Sequence, residues 1–596
     1  MIFEIKLSVL VADSFQKAFG KELDKKAIVF QATRKEFKGD ATLVVFNLAK
    51  IAGKNPEDTG NILGSQMVAD SDLISNFNVV KGFLNLEIND AHWINSYNQI
   101  RDMHQPLPSN NNHILVEYSS PNTNKPLHLG HIRNNLLGFS VGEILKYAGN
   151  KVTKVNIIND RGIHICKSML AWKIAGKGET PQSTGMKGDH LVGKYYVEFD
   201  RMFKAEVDAM VAQGLDKEQA EKNAPLIQQA RQMLQQWEAN DPETISLWKT
   251  MNGWVYEGFD VTYSRLGVNF DKIYYESDTY ILGKAIIEDG LRRGVLYQRE
   301  DGSVWIDLRP DGLDEKLLLR SDGTSVYMTQ DIGTAIKRYE DFGFDSMVYV
   351  VGNEQDYHFR VLFLVLSKLG YGWAQKLYHL SYNMVDLPSG KMKSREGTVV
   401  DADDLMDEMA AEAEKITREL GKLEDPDSDE SKNLYESIGM GALKYFLLKV
   451  DPEKRMLFNP NESIDFNGNT GPFIQYTHAR IKSVLRKAST VSELTDYSNI
   501  KLDSHFAIND KERQLIKLLL EFDGIVYEAS QKLSPAVIAN FVYEVAKSYN
   551  QFYHDNAIVD MEDLATSRFR LKLSNDIAGV ISIGLGLLGI QSPEKM

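Results

Sequence analysis

One stretch limits the fold of this chain more than any other. His113-Ile114-Leu115-Val116-Glu117-Tyr118 is an apolar run of strand length, followed by a Pro/Asn loop at 120–127. Beyond the loop, Ile132, Leu136, Phe139, Ile144 and Leu145 recur near one face at helical spacing. Gly149 stands where a helix-ending glycine belongs. A second apolar run, Val152 to Ile158, comes next. Strand, helix and strand in that order need a crossover, and a crossover joins parallel strands. The chain is therefore expected to build an α/β domain on a parallel sheet. The ligand crevice of such a sheet lies at the carboxyl ends of its strands, where the 120–127 loop sits.

The rest of the chain divides around this unit. Residues 1–110 mix helical and strand patterns, an α+β domain ending in His104-Gln105-Pro106-Leu107-Pro108, Ser109 and three asparagines, which is linker chemistry. Residues 111–460 form the parallel α/β domain. It carries a polar, helix-forming insertion at about 173–260, anchored by Trp237, Trp248 and Trp254, and an acidic connection at 402–436. Residues 461–596 read as an all-helical bundle. Acids outnumber bases 83 to 68, a net charge of −15, which excludes a uniformly basic nucleic-acid binder but leaves room for a local basic face. The single cysteine, Cys166, excludes an intrachain disulfide and a multi-cysteine metal site, and points to a reducing cytoplasm. Lys6 and Asp13 interrupt the apolar stretch at the start, so no signal peptide is expected. Ala578 to Ile590 is too short and glycine-rich to span a bilayer.

Two motifs carry the chemistry. His128-Leu129-Gly130-His131 falls between the loop and the helix, where free N–H groups and the helix dipole favour a phosphate. Gly130 allows close backbone approach, and the imidazoles can donate to phosphate oxygens. Four residues alone fit incidental histidines equally well; a metal pair lacks a third ligand. Lys391-Met392-Lys393-Ser394-Arg395-Glu396-Gly397-Thr398 follows a turn-forming Pro388-Ser389-Gly390. A cationic, Gly-flanked loop suits a polyphosphate, and by itself it also suits a solvated surface.

Together, the early His-x-Gly-His and the late Lys-Met-initiated loop resemble the class I aminoacyl-tRNA synthetases. Val116 to Asn122 running into Lys125-Pro126-Leu127-His128-Leu129-Gly130-His131 resembles the arginyl-tRNA synthetases in particular. So do Gly468-Asn469-Thr470-Gly471-Pro472-Phe473-Ile474-Gln475-Tyr476 with His478-Ala479-Arg480, and the ending Pro593-Glu594-Lys595-Met596. The resemblance covers essentially the whole chain. It implies a Rossmann-like catalytic domain, an N-terminal domain for the tRNA elbow and a helical anticodon-binding domain. The implied activity is ATP-dependent activation of L-arginine and its transfer to tRNA(Arg), in a cytoplasmic monomer. Alternatives are a non-catalytic tRNA-binding paralogue, another class I synthetase and a nucleotidyltransferase.

The resemblance also assigns residues. His128, His131, Lys391 and Lys125 are the expected catalytic groups. His128, Leu129, Gly130, His131, Lys391, Met392 and Ser394 are expected on ATP, which brings Mg2+ as MgATP; no tightly bound prosthetic group and no all-protein metal cage are expected. The usual loop signature is Lys-Met-Ser-Lys-Ser, and here Ser394 occupies the second lysine position, with Lys125 as the implied substitute. Glu117 and Asp331 are assigned to the substrate guanidinium, Tyr327 to a neutral hydrogen bond beside it, and Asn122, His128 and Gln355 to the backbone end of the amino acid. The residues agree: a guanidinium asks for a planar carboxylate pairing, and Tyr327 and Asp331, four apart, share a face on a helix, although by themselves they fit a helix-start acid beside a packed tyrosine better.

For tRNA, Phe473, Tyr476, Arg480 and Lys487 fall within roughly 60° of one another at helical spacing. Such an aromatic and basic stripe suits unstacked bases, although aromatics in a core with solvated bases would look the same. The resemblance selects the anticodon reading, with Met596, Phe552 and Tyr553 extending the surface, and Phe83 and Asn85 as elbow contacts. His164 and Cys166 are read as packing.

Overall fold

Near-continuous apolar strands decide the centre of the larger part of the molecule. In chain order these are β1 (His113–Glu117), helix α1 (Leu129–Tyr147), β2 (Lys151–Ile158), helices α2 (Gly188–Ala212) and α3 (Pro242–Leu266), and β3 (Lys272–Tyr275). Helix α4 (Tyr327–Phe342), β4 (Ser346–Gly352), β5 (Leu377–Tyr382), helix α5 (Ala402–Leu420) and helix α6 (Gly471–Ala488) follow. The five strands form one parallel sheet in the order β5-β4-β1-β2-β3. Leu115, Val116, Val155 and Met347 are buried on it, as expected for strands covered on both faces. The strand order reverses direction between β1 and β4. That is the topological switch point, where the crevice beyond the strand ends opens.

The computed structural model describes residues 2–31, 33–34, 36–386, 400–421, 423, 425–498 and 500–596. The larger of two units comprises residues 105–480, 526–543 and 581–596. Between β2 and β3 it carries a helical insertion that starts earlier and ends later than the expected 173–260: Ile163–Ala175, α2, Pro225–Glu238 and α3 are its main helices. Helix α1 ends as its sequence indicates, with Gly149 at φ +91 just past it. Ser119 also sits in the left-handed region, at φ +67. It is held there by Asn134 Oδ1, which accepts its N–H (2.6 Å), and by the Tyr263 hydroxyl on its Oγ (2.7 Å). This bend turns the chain from β1 into the 120–127 loop.

The smaller unit comprises residues 1–104, 481–525 and 544–580. Its first hundred residues form the expected α+β fold. A four-stranded antiparallel sheet (Phe30–Gln31, Ala41–Val44, Phe83–Ile88, Ile74–Val80) packs with helices Ile2–Phe19 and Pro56–Asp70. C-terminal helical residues join it through forked ion pairs. Arg101 meets Asp523 (2.7 and 2.6 Å), Arg513 meets Asp90 (2.6 and 3.0 Å), and the Tyr97 hydroxyl donates to Asp576 (2.7 Å). The segments of this unit are distant in sequence, and pattern reading does not bring them together.

Candidate active site

His128 caps the N-terminus of α1. Its Nδ1 accepts the N–H of Gly130 (3.1 Å), and the Nδ1 of His131 accepts the N–H of His128 (3.1 Å). The two rings lie with centroids 3.9 Å apart. A ring nitrogen that accepts a backbone N–H carries no proton, so each neutral ring is protonated at Nε2 and keeps that N–H as a donor. Burial and the nearby charge of Lys125 push His128 down to about 4, and burial, His128 and Lys125 hold His131 well below the ordinary range. The positive end of α1 acts in the same direction. At neutral pH the motif therefore offers two fixed, uncharged donors. Any side chain at position 130 would press on the His128 ring, since a Cβ there would stand 3.0 Å from its Cε1. Lys125, half-buried, has its own value lowered by burial.

The basic loop's Lys391, Met392 and Ser394 lie outside the described residues, but the chain leaving that loop is defined. Leu129 N–H donates to Val400 O (3.1 Å) and Ala402 N–H to Leu127 O (3.0 Å), with His128 paired antiparallel to Asp401. Residues 400–402, which follow the second motif in sequence, thus pair with the first motif through the backbone.

The other predicted residues lie at or just past strand ends or at the start of α4. Asn122, exposed in the loop after β1, pairs with Asn159 after β2. Gln355 is exposed just beyond β4. Tyr327 opens α4 and is 75% exposed, so it is not a packed tyrosine. One turn on, Asp331 Oδ2 stands 2.6 Å from His358 Nε2. Glu117 differs from expectation: it is buried at the end of β1 and ion-paired with the buried Arg338, two turns beyond Asp331 on α4. Arg338 also lies over the rings of Tyr274 (5.1 Å) and Tyr349 (5.9 Å). The chain's own guanidinium occupies the partner that the resemblance assigned to the substrate. Burial raises the Glu117 value, and the charge of Arg338 opposes the rise.

Sequence reading missed Glu276. It follows β3 directly, and its carboxyl is pushed up to about 7 by burial, with Arg161 opposing and Asp160 and Asp331 adding. Asp160, just past β2, holds the neighbouring Ser277 by its N–H (2.8 Å) and hydroxyl (2.7 Å), and accepts from the Tyr256 hydroxyl (2.8 Å). The available signal was position: Glu276 directly follows, and Asp160 lies two residues beyond, an apolar or aromatic run of strand length.

Three family profiles cover most of the chain. "tRNA synthetases class I (R), catalytic domain" matches residues 97–459, "Arginyl tRNA synthetase N terminal domain" residues 6–88, and "DALR anticodon binding domain" residues 474–596. The arginine–tRNA ligase of Bacteroides thetaiotaomicron is 53% identical over 600 residues, covering 100% of both chains. This chain belongs to the arginyl-tRNA synthetase family. The family ligase of Flavobacterium psychrophilum is 55% identical, covering 96% of this chain and 97% of its own. The solved arginyl-tRNA synthetase of Thermus thermophilus matches with a TM-score of 0.76 at 25% identity, covering 99% of each chain. The resemblance read from the short motifs is thus one of membership.

Helix α6 in this family member separates its faces as the spacing indicated. Ile474, Ile481 and Leu485 are buried, whereas Phe473, Tyr476 and Arg480 are half-buried and Lys487 is exposed. The Arg480 guanidinium lies 4.9 Å over the Tyr476 ring, and Phe473 packs at 5.6 Å on Tyr543. Met596 is half-buried. Phe552 is a correction: it is fully buried, so its ring cannot stack on a base, while Tyr553 is exposed. Asn85 is also buried, accepting from Thr42 Oγ1 (2.6 Å) and donating to Asn78 Oδ1 (2.8 Å), which leaves its amide committed to the sheet. Phe83 is half-buried, edge-on to Phe46. Cys166 is buried with its thiol pushed up to about 12 by burial, and His164 Nδ1 meets the Tyr196 hydroxyl (3.0 Å).

Proposed function

We propose that this chain activates L-arginine with ATP and transfers the arginyl group to the 3′ end of tRNA(Arg). In the first step a carboxylate oxygen of arginine bonds to the α-phosphorus as the bond to the pyrophosphate oxygen breaks. In the second, a terminal ribose hydroxyl attacks the acyl carbon of the adenylate and AMP leaves. No covalent enzyme intermediate is required, so the protein contributes positioning and charge stabilisation. The observation that carries this reading is a juxtaposition at the carboxyl ends of the sheet's strands. Fixed neutral donors at a helix N-terminus suit a polyphosphate, and the acids Glu276 after β3 and Asp331 on α4 suit a cationic amino acid.

His128, His131 and Lys125 face the phosphates in this reading, with Leu129 and Gly130 shaping the approach and Lys391, Met392 and Ser394 contributed by the basic loop. Asp331, Tyr327 and Glu276 take the guanidinium, while Glu117 acts through the pair it makes with Arg338. Asn122, His128 and Gln355 orient the α-amino and carboxylate end. Magnesium enters as MgATP and, when bound, offsets phosphate charge. Asp189, His190 and Asp403 form the one cluster with metal-like spacing among the described residues, and the Lys187 ammonium already stands against both carboxylates. That set does not fit a divalent ion, and no step is assigned to one there.

Phe473, Tyr476, Arg480, Lys487 and Met596 meet the anticodon, and the first 110 residues meet the tRNA elbow, so the division into 1–110, 111–460 and 461–596 is one of function. The protein works as a monomer in the cytoplasm, and the single cysteine supports a reducing compartment. Among the described residues no helix is long and apolar enough to cross a membrane. The test is charging of total tRNA with each of the twenty amino acids in turn. Arginine alone should be transferred; transfer of another amino acid, or of none, refutes the proposal.

A further inference from the structure

Where the helical insertion meets the start of α5 there is a knot of charge that no role above uses. Lys187 immediately precedes α2, and its Nζ donates to Asp403 Oδ2 (2.5 Å), Thr262 Oγ1 (2.5 Å) and Asp189 Oδ2 (3.2 Å). Thr262, on α3, donates to Asp403 Oδ1 (3.0 Å). His190 Nε2 stands 3.1 Å from Asp403 Oδ2 and 3.5 Å from Asp401 Oδ2. Asp401 in turn caps α5, accepting the N–H groups of Asp403 (2.8 Å) and Asp404 (3.3 Å). Lys187 and His190 on one side therefore hold Asp403 and Asp401 on the other.

Those two carboxylates flank the backbone that supports the histidine motif. Residues 400–402 are bonded on both sides to Leu127 and Leu129, with Asp401 opposite His128. A strand pair this short has only two backbone bonds, so its register depends on what anchors each side. The 127–129 side is anchored by α1. The 400–402 side is anchored by Asp401 and Asp403, and hence by the insertion.

We propose that Lys187 and His190 are positioning residues for arginine activation: by anchoring Asp403 and Asp401 they hold residues 400–402 in register on Leu127–Leu129, and so fix the His128 imidazole. The proposal rests on the assignment of His128 and His131 to the phosphates of ATP. A displacement of about 1 Å at such a donor can lower a rate on the order of a hundredfold without touching the substrate's other contacts. The hydrogen bond with Asp403 raises the His190 value against burial, with Asp401 and Asp189 adding and Lys187 opposing. The imidazolium is thus fully present below the ordinary histidine value and is lost as pH rises through the raised one, so the anchor weakens on the alkaline side.

The experiment compares Lys187→Met, Lys187→Arg, His190→Gln and His128→Ala in the full chain. It measures arginine- and tRNA-dependent ATP–pyrophosphate exchange across pH, with thermal unfolding in parallel. Lys187→Met should lower kcat on the order of ten- to a hundredfold while the KM for arginine moves by less than about twofold. Lys187→Arg should recover most of the loss. His190→Gln should remove a decline in kcat that the wild type shows as pH rises above the ordinary histidine value. A wild-type kcat in Lys187→Met, or a loss that only follows the folded fraction, overturns the proposal. If Lys187→Met does not fold, an alkaline decline unchanged by His190→Gln overturns it. Loss of exchange in His128→Ala alone refutes the anchor and leaves the phosphate assignment standing, whereas exchange retained in His128→Ala refutes both.

Discussion

Glu276 gives the most direct test of the amino-acid site. Its carboxyl is pushed up to about 7 from an ordinary 4.5 by burial and by the charges of Asp160 and Asp331. A raised carboxyl is protonated below its own value, so its pairing with a guanidinium is lost as pH falls through about 7. At one pH unit above that value roughly nine-tenths of the carboxyl is ionised, and at one unit below roughly one-tenth. If only the ionised form binds arginine, the KM for arginine rises about tenfold between pH 8 and pH 6, equivalent to about 1.4 kcal/mol. Glu276→Gln keeps the size and an acceptor but removes the titration. It should raise the KM at pH 8 by about 2 kcal/mol or more, in line with truncating one partner of a desolvated charge pair, and flatten the dependence below it. The assay is initial-rate aminoacylation at saturating ATP and tRNA over this pH range. His358, beside Asp331, and His190 remain in the variant, so it isolates Glu276 from them. A wild-type KM constant from pH 8 to 6, or the same slope in Glu276→Gln, would refute the reasoning.

Three further outcomes follow from the geometry. His131→Ala should reduce arginine- and tRNA-dependent ATP turnover by about 2.7–4 kcal/mol, as for loss of one preorganised donor, with a much smaller change in the KM for arginine; steady-state kinetics of the folded variant decide it. Phe473→Ala or Arg480→Ala should weaken charging of whole tRNA by about 1–3 kcal/mol and spare a minihelix without the anticodon arm, and equal losses on both substrates would make the stripe structural. Glu117→Gln should destabilise the fold by about 3–5 kcal/mol, because it leaves the buried Arg338 charge unpaired. Denaturant unfolding of Glu117→Gln beside Glu117→Gln/Arg338→Met, in which the unpaired charge is gone, should show most of that loss restored.

The legible parts of this protein are those whose cause lies within a few residues. The parallel sheet follows from two apolar runs and a helical period between them. The arrangement of His128 and His131 is a capping box closed within four residues, so the motif and its geometry are one statement. The face of α6 carrying Phe473, Tyr476 and Arg480 follows from the same short-range periodicity. Phe552 shows the limit of that logic. An aromatic beside an exposed tyrosine reads as surface, and only the packing of the helices around it decides that it is core.

By itself, the sequence determined the sheet, the helical insertion, the histidine motif at a helix start and the family, because periodicity, capping and motif spacing are local quantities. Tertiary structure alone decided which charges meet. It gave Glu117 to Arg338, raised Glu276 through burial and neighbours drawn from the end of β2 and the first turns of α4, joined Lys187 and His190 to Asp401 and Asp403, and gathered the first hundred residues with distant C-terminal helical segments into one unit. A buried charge takes its energy from burial and from every charge within several ångströms. Distance along the chain says nothing about either until the chain has folded.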